Sequence, residues 1–178
     1  MNIPNTLSAI RLILVPVFAK VFFSSSPYAH QLAALIYAIA FFTDIADGYI
    51  ARKFNQITRL GRVLDPLADK LMTFTVILCI CIDGITPVWA VIIFVCKELL
   101  MGIGGAFMLH RTRDVISSNW LGKASTGVFF VVLAVLVLFP VPHGAAVGLI
   151  SFALALTIAA LIRYIMAFRQ VMRDNPGQ

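Results

Sequence analysis

Thr43-Asp44-Ile45-Ala46-Asp47-Gly48-Tyr49-Ile50-Ala51-Arg52, followed after eight residues by Gly61-Arg62-Val63-Leu64-Asp65-Pro66-Leu67-Ala68-Asp69, lies between two long apolar stretches. Its four aspartates are half of the eight acidic residues in the whole chain. Asp44 and Asp47 are three apart and Asp65 and Asp69 four apart, so each pair lies on one face of a helix. Carboxylates at the edge of a membrane are expensive unless partnered by cations, and by default they mark a functional site. Their number and regularity point to a divalent-metal site that handles phosphate.

The surroundings identify the solvent. Of 178 residues, 61% are hydrophobic and only 12% charged, and mean hydropathy is +0.96. A soluble domain of this length is closer to half apolar. The chain therefore reads as an all-α integral membrane protein. Six transmembrane helices are expected, near 7–24, 31–53, 62–83, 86–109, 123–141 and 144–168. All are needed to make one bundle, so residues 1–178 form a single domain. The opening Asn2-Ile3-Pro4-Asn5-Thr6 is expected to break helix and lie along the interface as a short separate segment. Pro16 is expected to kink the first span, and Pro66 falls in the tolerant first turn of the third.

Charge distribution gives the orientation. The net charge is +6, and the connections after spans one, three and five contain no Lys or Arg. Those after spans two and four, with their flanks, carry Arg52, Lys53, Arg59, Arg62, Arg111, Arg113 and Lys123. Lys and Arg are retained on the cytoplasmic side, so both termini and the aspartates face the cytoplasm of a multi-pass cell-membrane protein. Lys20, near the outer end of span one, snorkels to the interface. Topology and attraction to anionic membrane lipid explain most of this basic face. No basic run is long enough for nucleic acid. Cys79, Cys81 and Cys96 read as apolar filler, without disulfide or metal-ligand spacing. Arg11 inside the first apolar stretch argues against a cleaved signal peptide.

Two antiparallel helices joined by a short loop bring the faces of Asp44 and Asp47 and of Asp65 and Asp69 together. Four carboxylates around one point repel each other, and divalent cations remove that difficulty. Oxygen-only ligation fits Mg²⁺ or Mn²⁺, in a two-metal site able to clamp phosphate oxygens. Gly48 and Gly61 remove side chains where a nucleotide or phosphate could approach the backbone; each taken alone fits helix packing better than ligand contact, and the whole arrangement favours the ligand. An ion or proton transporter would also place carboxylates in membrane helices. It has no need of Gly48, Ala51, Arg52 and Gly61 at these intervals.

The stretch resembles the signature of the CDP-alcohol phosphotransferases, Asp-x2-Asp-Gly-x2-Ala-Arg-x8-Gly-x3-Asp-x3-Asp, with every fixed position filled. The resemblance implies transfer of a phosphatidyl group from CDP-diacylglycerol to an alcohol with release of CMP. It implies that Asp44, Asp47, Asp65 and Asp69 hold the metals and that Asp69 is also the catalytic base. It assigns Asp47, Gly48, Ala51, Arg52 and Gly61 to the CDP-lipid pocket, and it implies a homodimer.

The signature fixes the donor and leaves the acceptor open. Asn2-Ile3-Pro4-Asn5-Thr6-Leu7-Ser8 with Arg11, and Leu64-Asp65-Pro66-Leu67-Ala68-Asp69-Lys70, resemble segments of phosphatidylglycerolphosphate synthases. CMP-forming cardiolipin synthases share them. The first group often has an Arg-Glu pair and a later Gly-Lys-x-Lys-Thr. Here Lys97-Glu98 and Gly122-Lys123-Ala124-Ser125-Thr126 stand in those places. Glycerol 3-phosphate, the expected acceptor, needs a cationic pocket. Arg59, Arg62, Arg111, Arg113 and Lys123 are the candidates for it, although the positive-inside bias accounts for each of them equally well. Lys97 and Glu98 are adjacent and are expected to point apart, Lys97 toward substrate or the carboxylates.

Overall fold

A computed structural model describes residues 3–53, 61–111 and 120–174. The described residues form six α-helices and no strand: α1 (Ile3–Phe22), α2 (Ala29–Lys53), α3 (Gly61–Ile82), α4 (Val88–Arg111), α5 (Trp120–Leu138) and α6 (His143–Asp174). The breaks fall where turn chemistry predicts. Ser24 to Pro27 separates α1 from α2. Gly84 ends α3 with φ +77°, a left-handed conformation that a residue with a Cβ adopts only at a cost. There the Gly84 N–H donates to the Cys81 carbonyl and the Ile85 N–H to the Ile80 carbonyl, the paired bonds of a Schellman cap.

The surface is apolar where it would meet lipid. Ile10, Ile13 and Val17 on α1 and Leu32, Leu35, Ile39 and Phe42 on α2 are exposed at helical intervals. In water such stripes would need a partner, and in a bilayer lipid covers them. The inward faces are different in kind. Ala33, Ala34 and Ala40 of α2 are buried, small residues that let membrane helices approach closely. The chain is thus an all-α membrane protein.

Among the described residues, Ala29–Ala46, Trp120–Leu138 and His143–Met166 are long and apolar enough to cross a membrane. In α3 the charged side chains of Asp65, Asp69 and Lys70 stand near the start. Only Leu71 to Ile82 is uncharged, about 18 Å of helix at 1.5 Å per residue, against a hydrocarbon core of about 30 Å.

Two compact units can be distinguished, Met1–Ile85 with Leu133–Val141, and Thr86–Val132 with Pro142–Gln178. In the first, α1 packs against both α2 and α3, which also touch each other. Phe18, Phe22, Tyr37, Val76, Ile77, Ile80, Leu133 and Leu136 are buried within it. In the second, α4 packs on α6, with Tyr164 3.5 Å from where a Cβ on Gly104 would stand. Phe94 stacks on Phe129 of α5 with ring centroids 5.2 Å apart.

Two expectations about prolines change. α1 begins at Ile3 and runs unbroken to Phe22, so Ile3 to Thr6 open this helix rather than forming a separate segment. Pro4 is accommodated because the first N–H groups of a helix have no acceptor within it. α3 begins at Gly61, which puts Pro66 beyond the first turn. Pro66 therefore withholds a hydrogen bond from the Arg62 carbonyl.

Candidate active site

The signature is divided between the end of α2 and the start of α3, both in the first unit. Asp44 lies in the third-last turn of α2, where the apolar run stops. Asp47, Gly48, Ala51 and Arg52 continue that helix, and their side chains are outside the described set. Gly61 opens α3 and is buried, with Asp65 and Asp69 on the turns that follow. Both are partly exposed.

The third wall is α1. Arg11 Nη1 donates to Asp44 Oδ1 at 2.6 Å, and Ser8 Oγ donates to Asp65 Oδ1. Ser8 and Arg11 are 0% and 1% exposed, whereas Asp44 is 36% exposed. A guanidinium at that depth in an apolar helix is tolerable only because a carboxylate receives it. Ser8 and Arg11 are three apart on α1, hence on one face, and from it they reach a different helix each. Asp44 and Asp65 are also near enough for their charges to interact. Asp69 is within electrostatic reach of Tyr37 and of its neighbour Lys70.

Structure and expectation agree in part. Asp44 and Asp65 come together from two helices, as the antiparallel arrangement requires. Among the described residues, no three metal-ligating side chains converge on one point. The donors do suit a hard cation. Asp44 and Asp65 use Oδ1 for these contacts with α1. Carboxylate oxygens are the ligand type that Mg²⁺ and Mn²⁺ prefer.

Of the candidate acceptor cations, Arg59 and Arg113 lie outside the described residues. Arg62 and Arg111 are in α3 and α4, with side chains likewise outside. Lys123 is exposed in the first turns of α5. Ser125, where the related pattern has its second lysine, is buried and donates to the Gly122 carbonyl at 2.9 Å. Lys97 and Glu98 do not point apart. They form an ion pair, and Lys97 Nζ lies 5.6 Å from the Phe94 ring centroid. Two long side chains can curl toward each other from adjacent positions, and an apolar span rewards them for it.

Sequence reasoning missed Ser8 as a site residue and gave Arg11 no role there. The available signal was Arg11 itself, a cation inside an apolar helix, which demands a partner.

Residues 1–172 match the sequence profile of the CDP-alcohol phosphatidyltransferase family. The CDP-diacylglycerol--glycerol-3-phosphate 3-phosphatidyltransferase of Bacillus subtilis (strain 168) is 33% identical over 153 residues, covering 79% of each chain. The proteins of that name from Salmonella typhimurium (strain LT2) and Escherichia coli (strain K12) are 32% and 31% identical over 181 residues, covering 98% of each chain. With its signature complete and its likeness running nearly end to end, the chain belongs to the CDP-alcohol phosphatidyltransferase family.

Proposed function

We propose that this protein transfers the phosphatidyl group of CDP-diacylglycerol to glycerol 3-phosphate, forming phosphatidylglycerol phosphate and releasing CMP. The observation that carries the reading is the pair of contacts by which one face of α1 reaches Asp44 and Asp65, one aspartate from each half of the signature. The names of the relatives, which share this acceptor, support it.

In this reading Asp44, Asp47, Asp65 and Asp69 hold Mg²⁺ or Mn²⁺, which when bound offset the charge of the donor diphosphate. Asp69 takes the proton of the acceptor hydroxyl as that oxygen attacks the phosphatidyl phosphorus. The phosphorus–oxygen bond to CMP breaks, and CMP departs with its electron pair. Asp47, Gly48, Ala51, Arg52 and Gly61 shape the pocket for the cytidine diphosphate. Arg59, Arg62, Arg111, Arg113 and Lys123 supply cations for the phosphate of the acceptor. The chain acts as a single domain with six membrane crossings, in a homodimer, its site and both termini on the cytoplasmic face. The last point rests on the basic residues after α2 and α4.

The test is CMP release from CDP-diacylglycerol by purified protein with Mg²⁺, offering glycerol 3-phosphate and phosphatidylglycerol in separate reactions. Release with glycerol 3-phosphate alone is expected. Release with phosphatidylglycerol alone would overturn the acceptor and leave the aspartate chemistry standing. EDTA is expected to abolish release and added Mg²⁺ or Mn²⁺ to restore it. Turnover that persists after thorough chelation would remove the metals from the mechanism.

A further inference from the structure

Ser8 and Arg11 belong to no part of the signature, yet their side chains hold two of its carboxylates. Both are fully buried, and both stand on one face of α1. Ser8 reaches across to α3 at Asp65, and Arg11 to α2 at Asp44. One helix thus fixes one ligand from each of the other two. The chemistry of the two contacts is complementary. The guanidinium delivers a full positive charge to a carboxylate that has a second carboxylate within interaction range, so it offsets their repulsion. The hydroxyl delivers direction without charge, anchoring the other carboxylate by one oxygen. Both contacts take Oδ1. These two contacts do not use the second oxygen of either carboxylate, so a ligand can take it.

We propose that Ser8 and Arg11 are positioning residues, which hold Asp65 and Asp44 facing each other so that this half of the metal site is formed before the cation arrives. The proposal rests on the metal-binding reading above. Hydrogen-bond partners behind metal ligands set the orientation and basicity of those ligands, and losing one typically weakens metal binding or activity by about 10-fold to 100-fold. Preorganisation of this kind should appear in metal affinity ahead of donor affinity. Neither Ser8 nor Arg11 is expected to touch the acceptor.

The informative variants are Ser8→Ala, Ser8→Thr and Arg11→Lys. Ser8→Ala removes one oxygen from a small buried residue and is the change least able to unfold the helix. Ser8→Thr restores the hydroxyl at the cost of a methyl group. Arg11→Lys keeps the charge and loses the planar fork; Arg11→Ala would strand Asp44 and is avoided. Full-length protein in detergent is titrated with Mn²⁺, free ion being followed by electron paramagnetic resonance, and the metal-induced rise in Tm is measured in parallel.

Ser8→Ala and Arg11→Lys are each expected to bind Mn²⁺ about tenfold more weakly or worse, with a smaller metal-induced Tm rise, while Ser8→Thr recovers wild-type binding. The KM for CDP-diacylglycerol at saturating metal should move less than the metal requirement. Wild-type uptake of Mn²⁺ with unchanged uptake by Ser8→Ala and Arg11→Lys overturns the positioning role alone. Equal weakening in Ser8→Ala and Ser8→Thr also overturns it, since packing rather than the hydroxyl would then matter. Wild-type protein that takes up no Mn²⁺ overturns the metal reading itself, and the positioning proposal with it.

Discussion

The same three helices are joined differently at their two ends. At the signature end, the start of α1 meets the end of α2 and the start of α3 through Arg11–Asp44 and Ser8–Asp65. Toward the far end α1 and α2 meet through rings. Phe18 stacks on Phe22 at 5.8 Å and meets Tyr37 edge-on at 6.3 Å, while Phe22 meets His30 edge-on at 5.0 Å. Aromatic contacts are short-ranged and insensitive to ions, and they stabilise whether or not a ligand is present. Charged contacts in an apolar setting are conditional, because their worth depends on which other charges share the site. The difference assigns the two ends different duties. In the proposed reading the polar end exchanges partners with cations and diphosphate, while the aromatic end contributes burial that no ligand changes.

The sharpest way to break this division is to change chemistry at one end without changing stability. Asp69→Asn keeps size and shape and removes the basic oxygen. Loss of a general base costs about 10²–10⁴ in rate, and CMP release should fall by at least that factor. Binding of CDP-diacylglycerol should survive, because Asn still offers an oxygen and the rest of the signature is intact. Tm in EDTA should change little. Release near the wild-type rate would dismiss Asp69 as the base, and a large fall in Tm would show that the polar end also bears the fold.

The reverse experiment removes a ring. Phe18 is wholly buried and touches both Phe22 and Tyr37, so Phe18→Ala opens a cavity among rings that cannot all move to fill it. The expected loss is about 3–5 kcal/mol, read as a lowered unfolding midpoint in detergent. Turnover per folded molecule, measured well below that midpoint, should stay close to wild type. A matching loss of turnover would mean that the two ends are coupled along α1, and the division would have to be given up.

How much of this arrangement was legible in the sequence depends on the range of the interaction concerned. The helices themselves are written in local signals: apolar runs, the Ser24-Ser25-Ser26-Pro27 turn and Gly84. Asp44 and Asp65 were legible because helical spacing repeats and a membrane makes carboxylates conspicuous. Ser8 was not, since a serine among apolar residues is ordinary and its partner lies 57 positions away. The start of α1 was misjudged because proline is read as a breaker, although at a first turn it costs nothing. Lys97 and Glu98 were expected to point apart because helix geometry fixes only where a side chain begins. Long flexible chains end where desolvation sends them.

The smallest expected effect tests whether the far end is indifferent to chemistry even in its backbone. Gly84 caps α3 at φ +77°, and nothing lies within 4 Å of where a Cβ would stand. Gly84→Ala therefore meets no steric neighbour and suffers only the intrinsic penalty of a left-handed alanine, about 1–2 kcal/mol. That penalty should lower the unfolding midpoint slightly and leave both CMP release and its metal requirement untouched. An unchanged midpoint would mean that α3 ends differently in solution from the Schellman cap described above. A changed metal requirement would be more consequential. The cap is at the opposite end of α3 from Asp65 and Asp69, and only a rigid shift of the whole helix could carry its effect to them.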